Sequence, residues 1–318
     1  MLEVADIFRE AGPAYREQYA SRMLPSHLKV MEAIEACRTE AMGGELRQCD
    51  QCEQFQYSYH SCRNRHCPKC HGDQTRRWLD KQRTRSLDCP YYLVTFTIPN
   101  KLHPLVRGHQ RLVYGLLMRS AAHSLKKLAS DPKFLGANPA IIAVLHSWTR
   151  TMHYHPHVHL LVTAGGLSQD GRWLEPSNPR FLVPGYALST IFRAKLRDAL
   201  GSADLLRDTP PCAWEQPWVV HCKHAGNGEQ VLEYLARYVY RIAIANSRIE
   251  RFANGQVTFR YHDTKTHQLK RCTLTDHEFI RRFLQHVLPE SFTKVRYYGL
   301  YSSASADDLE RARAALSE

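Results

Sequence analysis

The chain contains no run of 18 or more apolar residues, so no part of it reads as a membrane-spanning helix. Residues 1–10 carry acidic side chains where a secretory signal would place an apolar core, so the expected compartment is the cytoplasm. The phosphate-cradling pattern G-x-x-x-x-G-K-[ST] is missing, so nucleotide hydrolysis is not expected to drive the chemistry. Acidic residues are in deficit: 31 Asp and Glu stand against 43 Lys and Arg, a net charge of +12. That surplus suits a polyanionic partner such as nucleic acid. What is plentiful is core material, with 43% hydrophobic and 10% aromatic residues over 318 positions, enough for one large domain or two smaller ones.

Ten cysteines are present, and five of them fall between residues 49 and 70. In a reducing compartment such crowding favours metal over disulfides. Cys49-Asp50-Gln51-Cys52 and Cys67-Pro68-Lys69-Cys70 form two C-x-x-C knuckles, whose four thiolates suit a tetrahedral structural Zn²⁺. Cys62 and His66 are spare ligands that either knuckle could recruit. Phe55, Tyr57, Tyr59 and His60 lie between the knuckles, and Arg63, Arg65, Arg76 and Arg77 are among the cations that follow. Aromatics interleaved with cations fit base stacking and backbone contact on DNA. Residues 1–47 carry helical spacing, with Pro25 near a helix start and Gly43-Gly44 as a stop.

Five of the 18 histidines lie between residues 146 and 159: His146, His153, His155, His157 and His159. The stretch His155-Pro156-His157-Val158-His159-Leu160-Leu161-Val162 reads as a strand. Alternation puts the histidines on one face and Val158, Leu160 and Val162 on the other. His157 and His159, one residue apart on a common face, can hold a divalent metal from one side of a sheet. Strands are expected at 91–98, 141–148 and 218–222, and helices at 104–129 and 188–200. This order predicts an α+β fold, an antiparallel sheet with helices packed on it.

A further helix is expected over about 229–245, capped by Asn227. At 100° per residue Tyr234 and Tyr238 share a stripe with Gln230, Arg237 and Arg241, while Tyr240 points elsewhere. Val231, Leu235, Val239 and Ile242 make an apolar face suited to a sheet. Beside a histidine strand in a basic chain, two aligned tyrosines suggest nucleophiles, since a phenolate can attack a phosphodiester and hold a DNA 5′ end.

With these pieces in order the chain resembles the HUH superfamily, in which U is a bulky apolar residue. More closely it is similar to the two-tyrosine rolling-circle transposases of bacterial insertion sequences. The matching pieces are S-C-R-N-R-H-C-P-K-C at 61–70, V-T-F-T-I-P at 94–99, L-H-S-W at 145–148, the histidine strand and Tyr234 to Arg241. E-F-I-R-R-F-L-Q-H-V-L-P at 278–289 and R-Y-Y-G at 296–299 complete the set. The resemblance implies an HUH-type sheet flanked by helices, preceded by a small helical and zinc-ribbon-like module. It divides the chain into a helical segment 1–48, a zinc-binding DNA-contact module 49–86, a nuclease domain 87–302 and a tail 303–318.

It also implies nicking and rejoining of single-stranded DNA at element ends and at target DNA, through Tyr234 and Tyr238, in a bacterial cytoplasm at the nucleoid. His157 and His159 would hold Mg²⁺ or Mn²⁺. His146 is expected as third ligand because a hairpin would set it beside them, with Gln230 its competitor. His153 and His155 are expected as supporting groups. Arg237 and Arg241 would favour the phenolate and join Arg63, Arg65, Arg76 and Arg77 in DNA contact. A replication initiator or relaxase would share this chemistry. A zinc-ribbon protein that only binds DNA is the non-enzymatic alternative.

Overall fold

The computed structural model describes residues 2–178, 182–227, 231–233, 236, 239, 243–263 and 266–317. In chain order the strands are β1 (Gly44–Gln48), β2 (Phe55–Tyr59), β3 (Pro90–Thr97), β4 (Ala140–Trp148), β5 (Tyr154–Thr163) and β6 (Gly166–Leu167). They continue with β7 (Trp173–Leu174), β8 (Val220–Asn227), β9 (Ile249–Ala253), β10 (Gln256–His262), β11 (Leu269–Thr275) and β12 (Val295–Gly299). The chain folds as two compact units, one formed by Met1–Arg77, Trp148–Tyr154 and Tyr240–Glu290, the other by Trp78–Ser147, His155–Val239 and Ser291–Glu318. No helix among the described residues is long and apolar enough to cross a membrane.

The first unit holds the helices Val4–Tyr19, Pro25–Ala36 and Asp276–Leu284 and the antiparallel sheet β9–β10–β11. Local chemistry starts each helix. The Asp6 carboxylate accepts the Glu3 N–H at 2.9 Å, Pro25 takes the first turn of the second helix, and Thr275 Oγ1 accepts the Glu278 N–H at 3.3 Å. Val4, Phe8, Met31 and Ile34 pack with Val257, Phe259, Phe279 and Phe283 in one core. The Phe8 and Phe283 rings meet edge to face at 5.2 Å. The turn between β4 and β5 is pinned into this unit. Met152 is fully buried in the core, Arg282 donates to the Thr151 carbonyl at 3.0 Å, and Arg248 donates to the Arg150 carbonyl at 2.6 Å.

The divisions expected at residues 48, 86 and 302 describe segments of sequence, and the compact units cut across them. The first two helices bury their apolar faces on Phe279, Ile280 and Phe283, so the N-terminal segment shares a core with residues 240–290. The segment expected as a tail folds as the helix Ala306–Ser317, with Leu309 and Ala312 buried. Ile249–Ala253, Gln256–His262 and Leu269–Thr275, where no element was expected, form the three-stranded sheet.

The second unit is built on the sheet β12–β4–β5–β3–β8. The pairs β12–β4, β3–β5 and β3–β8 are antiparallel, with Thr95 opposite His159 and Thr97 opposite His157 between β3 and β5. β5 holds the centre. Tyr92, Val94, Phe96 and Ile98 are buried as their alternation demands, and Phe96 meets Phe192 of the helix Gly185–Ser202 at 4.9 Å. The helix expected over 104–129 is interrupted, running as His103–Gly108 and Gln110–Ala129 with His109 non-helical at φ −125°. Asn227, expected as a helix cap, is the last residue of β8. Beyond it Val231, Leu232, Ala236 and Val239 are helical and buried. Gly299 closes β12 at φ +60°, where a Cβ would collide with the Pro139 carbonyl oxygen, which explains the glycine of the Tyr-Tyr-Gly segment.

Glu278 bonds both Arg281 and Arg282, at 2.5 and 2.6 Å, and these hydrogen bonds, that from Arg281 first, pull its carboxyl from 4.5 down to about 2. A depressed carboxyl contributes stability that is present above its unfolded value and is lost as pH falls through the folded one. Urea titrations of Glu278→Gln should therefore show a weaker loss of stability between pH 4.5 and 2 than the parent chain shows. Identical pH profiles would remove this pairing from the account.

Candidate catalytic centre and zinc site

Three histidines converge in the second unit. His146 comes from β4, and His157 and His159 come from β5, its neighbour in the sheet. One ring nitrogen from each lies within 4.8 Å of the others. The His146 ring centroid is 5.3 Å from that of His157 and 4.6 Å from that of His159. His146 is buried, and the other two are half-buried.

Each β5 histidine is oriented through its other nitrogen. His157 Nδ1 donates to the His155 carbonyl at 2.7 Å, which leaves Nε2 as its lone-pair atom. His159 Nδ1 meets Thr95 Oγ1 at 2.9 Å, across the β3–β5 register. Burial, and then the neighbouring His159, push His157 down to about 3. Burial, and then Lys294, push His159 down to about 4. Both imidazoles are thus neutral near pH 7, the form that ligates metal. A set of three imidazoles on one sheet face fits a divalent cation with positions left open for substrate. Thr95 and Lys294 did not stand out in sequence. Only the strand register reveals Thr95, and only the fold brings Lys294 near. His155 sits beside His103, ring centroids 5.7 Å apart, while His153 lies in the first unit at 3.2 Å from Arg282.

The cysteines assemble differently from expectation. Cys37, Cys62, Cys67 and Cys70 gather with all sulfurs within 4.8 Å of one another. Cys37 follows the helix Pro25–Ala36, and its sulfur lies 3.6 Å from that of Cys70; Cys62 and Cys70 are 3.7 Å apart. A tetrahedron of bonds of about 2.3 Å has edges of about 3.8 Å, so the spacing is that of a four-thiolate zinc site. Cys62 is pulled down to about 5, chiefly by hydrogen bonding from Cys67, and the same contact pushes Cys67 well above the ordinary thiol range. Burial pushes Cys37 up to about 11. A bound dication would favour the thiolate form of all four.

Cys49 and Cys52, expected as ligands, lie outside this cluster. Both are exposed, beyond the Gln48↔Phe55 end of the β1–β2 ladder, whereas the Gly44↔Tyr59 end adjoins Cys62. Four residue steps, about 14 Å, separate the two ends. His66, the other spare ligand, instead accepts the Leu288 N–H at 3.3 Å.

Tyr234, Tyr238, Tyr240, Gln230, Arg237 and Arg241 lie outside the described residues. Arg63, Arg76 and Arg77 are exposed, as DNA contact requires. Arg65 instead donates to the Pro289 carbonyl at 2.7 Å and is half-buried, a structural tie. Phe55, Tyr57 and Tyr59 are exposed along one side of β2, on a hairpin whose charges are Glu45, Arg47, Asp50 and Glu53.

The family described as "Putative transposase" matches residues 140–308, and the one described as "Transposase zinc-binding domain" matches residues 7–98. The protein named "Putative transposase y4qJ", from Sinorhizobium fredii (strain NBRC 101917 / NGR234), is 40% identical over 317 residues, covering 93% of this chain and 79% of its own length. The protein named "Transposase for insertion sequence element IS801", from Pseudomonas savastanoi pv. phaseolicola, is 32% identical over 289 residues, covering 84% of this chain and 68% of its own. No solved structure matches the chain. The zinc-binding match and the four-thiol cluster together support a structural Zn²⁺.

The two cysteine sets make opposite forecasts for metal content. Cys37→Ser and Cys62→Ser should each lower bound zinc and the melting temperature, as measured by elemental analysis and calorimetry. Cys49→Ser with Cys52→Ser should retain about one zinc per chain. Zinc lost from the latter pair and kept by the former would restore the knuckle assignment.

Proposed function

Since the chain belongs to the IS91-type transposases, which process DNA, we propose that it nicks and rejoins single-stranded DNA at the ends of its element through 5′-phosphotyrosine intermediates. The observation that supports this reading is the convergence of His146, His157 and His159 on neighbouring strands. Tyr234 and Tyr238 are the nucleophiles of the reading, on the helical pattern that puts them one turn apart.

His146, His157 and His159 hold Mg²⁺ or Mn²⁺, which when bound polarises phosphoryl oxygens and offsets negative charge. One tyrosine attacks the scissile phosphorus. A Tyr O–P bond forms, the P–O3′ bond breaks, and the departing oxygen becomes a free 3′-OH. The phenolic proton passes to solvent or a nearby base. Arg237 and Arg241 lower the cost of the phenolate, which is scarce at neutral pH because free tyrosine titrates near about 10. A 3′-OH then attacks the phosphotyrosine in reverse, so the phosphoester is conserved and no nucleotide is needed. The second tyrosine holds one end while the first acts on another. Tyr234 is assigned the first cut, being nearer the expected helix start, where the helix dipole favours negative charge. The relatives' names both say transposase, which favours this over a replication initiator or relaxase.

The test uses labelled single-stranded element ends with Mn²⁺. Tyr234→Phe should abolish the covalent adduct. Tyr238→Phe should form it but fail to join strands, and the double variant should form none. His157→Ala should slow adduct formation by about 100-fold or more. An adduct that persists in the double variant places the nucleophile elsewhere.

Thr95 gives an independent check on the histidine centre. Thr95→Val removes the oxygen that orients His159 and should weaken Mn²⁺ binding by about 10–100-fold, read by calorimetry. Unchanged affinity would mean that His159 is no ligand.

A further inference from the structure

The sheet β9–β10–β11 buries one face in the core of the first unit, through Val257 and Phe259. Its other face is built from cations and hydroxyls. Arg260 pairs directly with Arg271 across the β10–β11 register, Thr258 pairs with Thr273, and Thr258 pairs with Arg251 on the β9 side. Directly paired residues and those two apart share a face, so all five lie together. The three arginines are exposed and fall within about 10 Å across the strands and about 7 Å along them.

Like charges set opposite each other in a sheet repel, and the protein offsets this repulsion only in part. Glu250 lies 2.6 Å from Arg271 Nε, and Arg260 donates to the Ser247 carbonyl at 3.0 Å. Among the described residues no carboxylate pairs with Arg251 or Arg260. The Thr258 and Thr273 hydroxyls lie 2.9 Å apart between the cations. Phe252, Phe259 and Tyr261 belong to the opposite face by the same alternation.

We infer that this face is a docking surface for the phosphate backbone of duplex DNA. Guanidinium and hydroxyl donors on a flat sheet match phosphate oxygens. Capture of a single strand draws on stacked aromatic rings, and here Phe252 and Phe259 pack in the core while Tyr261 lies on the opposite face. The surface lies wholly within the first unit, on residues that the strand-transfer reading does not use. Its role is to hold double-stranded DNA without reading sequence. The inference rests on the DNA partner that the family implies and is independent of the tyrosine and metal chemistry.

The experiment is equilibrium binding of the full, zinc-loaded chain to a fluorescein-labelled 30-base-pair duplex of arbitrary sequence. Anisotropy is followed from low to moderate salt, without added Mg²⁺ or Mn²⁺, so no cleavage enters the readout. Each phosphate contact contributes about 0.9 to the slope of log K against log[salt]. Arg251→Gln should make the slope shallower by about 0.9, and Arg251→Lys should restore it. The triple variant Arg251→Gln, Arg260→Gln, Arg271→Gln should make it shallower by about 2.7. Zinc content and melting temperature report whether each variant is folded. If the triple variant is not, the single Arg251 substitutions decide, since that side chain makes no hydrogen bond among the described residues. Slopes unchanged for the duplex would overturn the inference. So would a loss confined to a single-stranded probe of equal length, which would give the face to the unpaired strand.

Discussion

The histidine cluster depends on strand register. β4 and β5 are neighbours in the middle of a five-stranded sheet, and their pairing brings one histidine of the first beside two of the second. A slip of one residue would turn every β5 side chain to the other face, sending His157 and His159 into the core and Val158 and Leu160 out. Burial of Val158, Leu160 and Val162 therefore also fixes the facing of the histidines. β3 adds a second constraint, because Thr95 meets the ring of His159 only in the register observed. Apolar packing on one side of the sheet thus presents neutral imidazoles on the other, and the same burial that depresses their basicity keeps them ready to ligate.

Much of this was legible in the residues. The H-x-H spacing and the alternation of Tyr92, Val94, Phe96 and Ile98 each follow from period-two patterning, which burial enforces. The cysteine site was not, because spacing along the chain is a poor guide when a hairpin intervenes. C-x-x-C at 49–52 looks equivalent to C-x-x-C at 67–70, yet the β1–β2 ladder carries the first pair away from the second. Cys37 takes a place in the cluster through the end of a helix rather than through a knuckle. The sheet β9–β11 shows a strand signal in Val257-Thr258-Phe259-Arg260, but its exposed face is so charged that it reads as a solvated segment.

Division into domains was the least visible feature. The N-terminal helices look self-contained in sequence, yet their apolar residues are matched by Phe259, Phe279 and Phe283, more than two hundred residues away. Contacts at such separation leave no local pattern, and composition does not distinguish a core shared by distant segments from one made by neighbours. The family membership explains the order of the pieces, and the packing explains why the zinc-binding segment and residues 240–290 come as one unit.

The central claim is that the three histidines ligate one catalytic cation. Pulsed electron paramagnetic resonance on the Mn²⁺-loaded chain tests this most directly, since directly bound imidazole nitrogens leave resolved couplings on the manganese signal. The account predicts nitrogen couplings from His146, His157 and His159, diminished by each single alanine substitution and gone in the triple variant, with zinc content retained. A manganese signal without nitrogen couplings, or one unchanged in the triple variant, would contradict it.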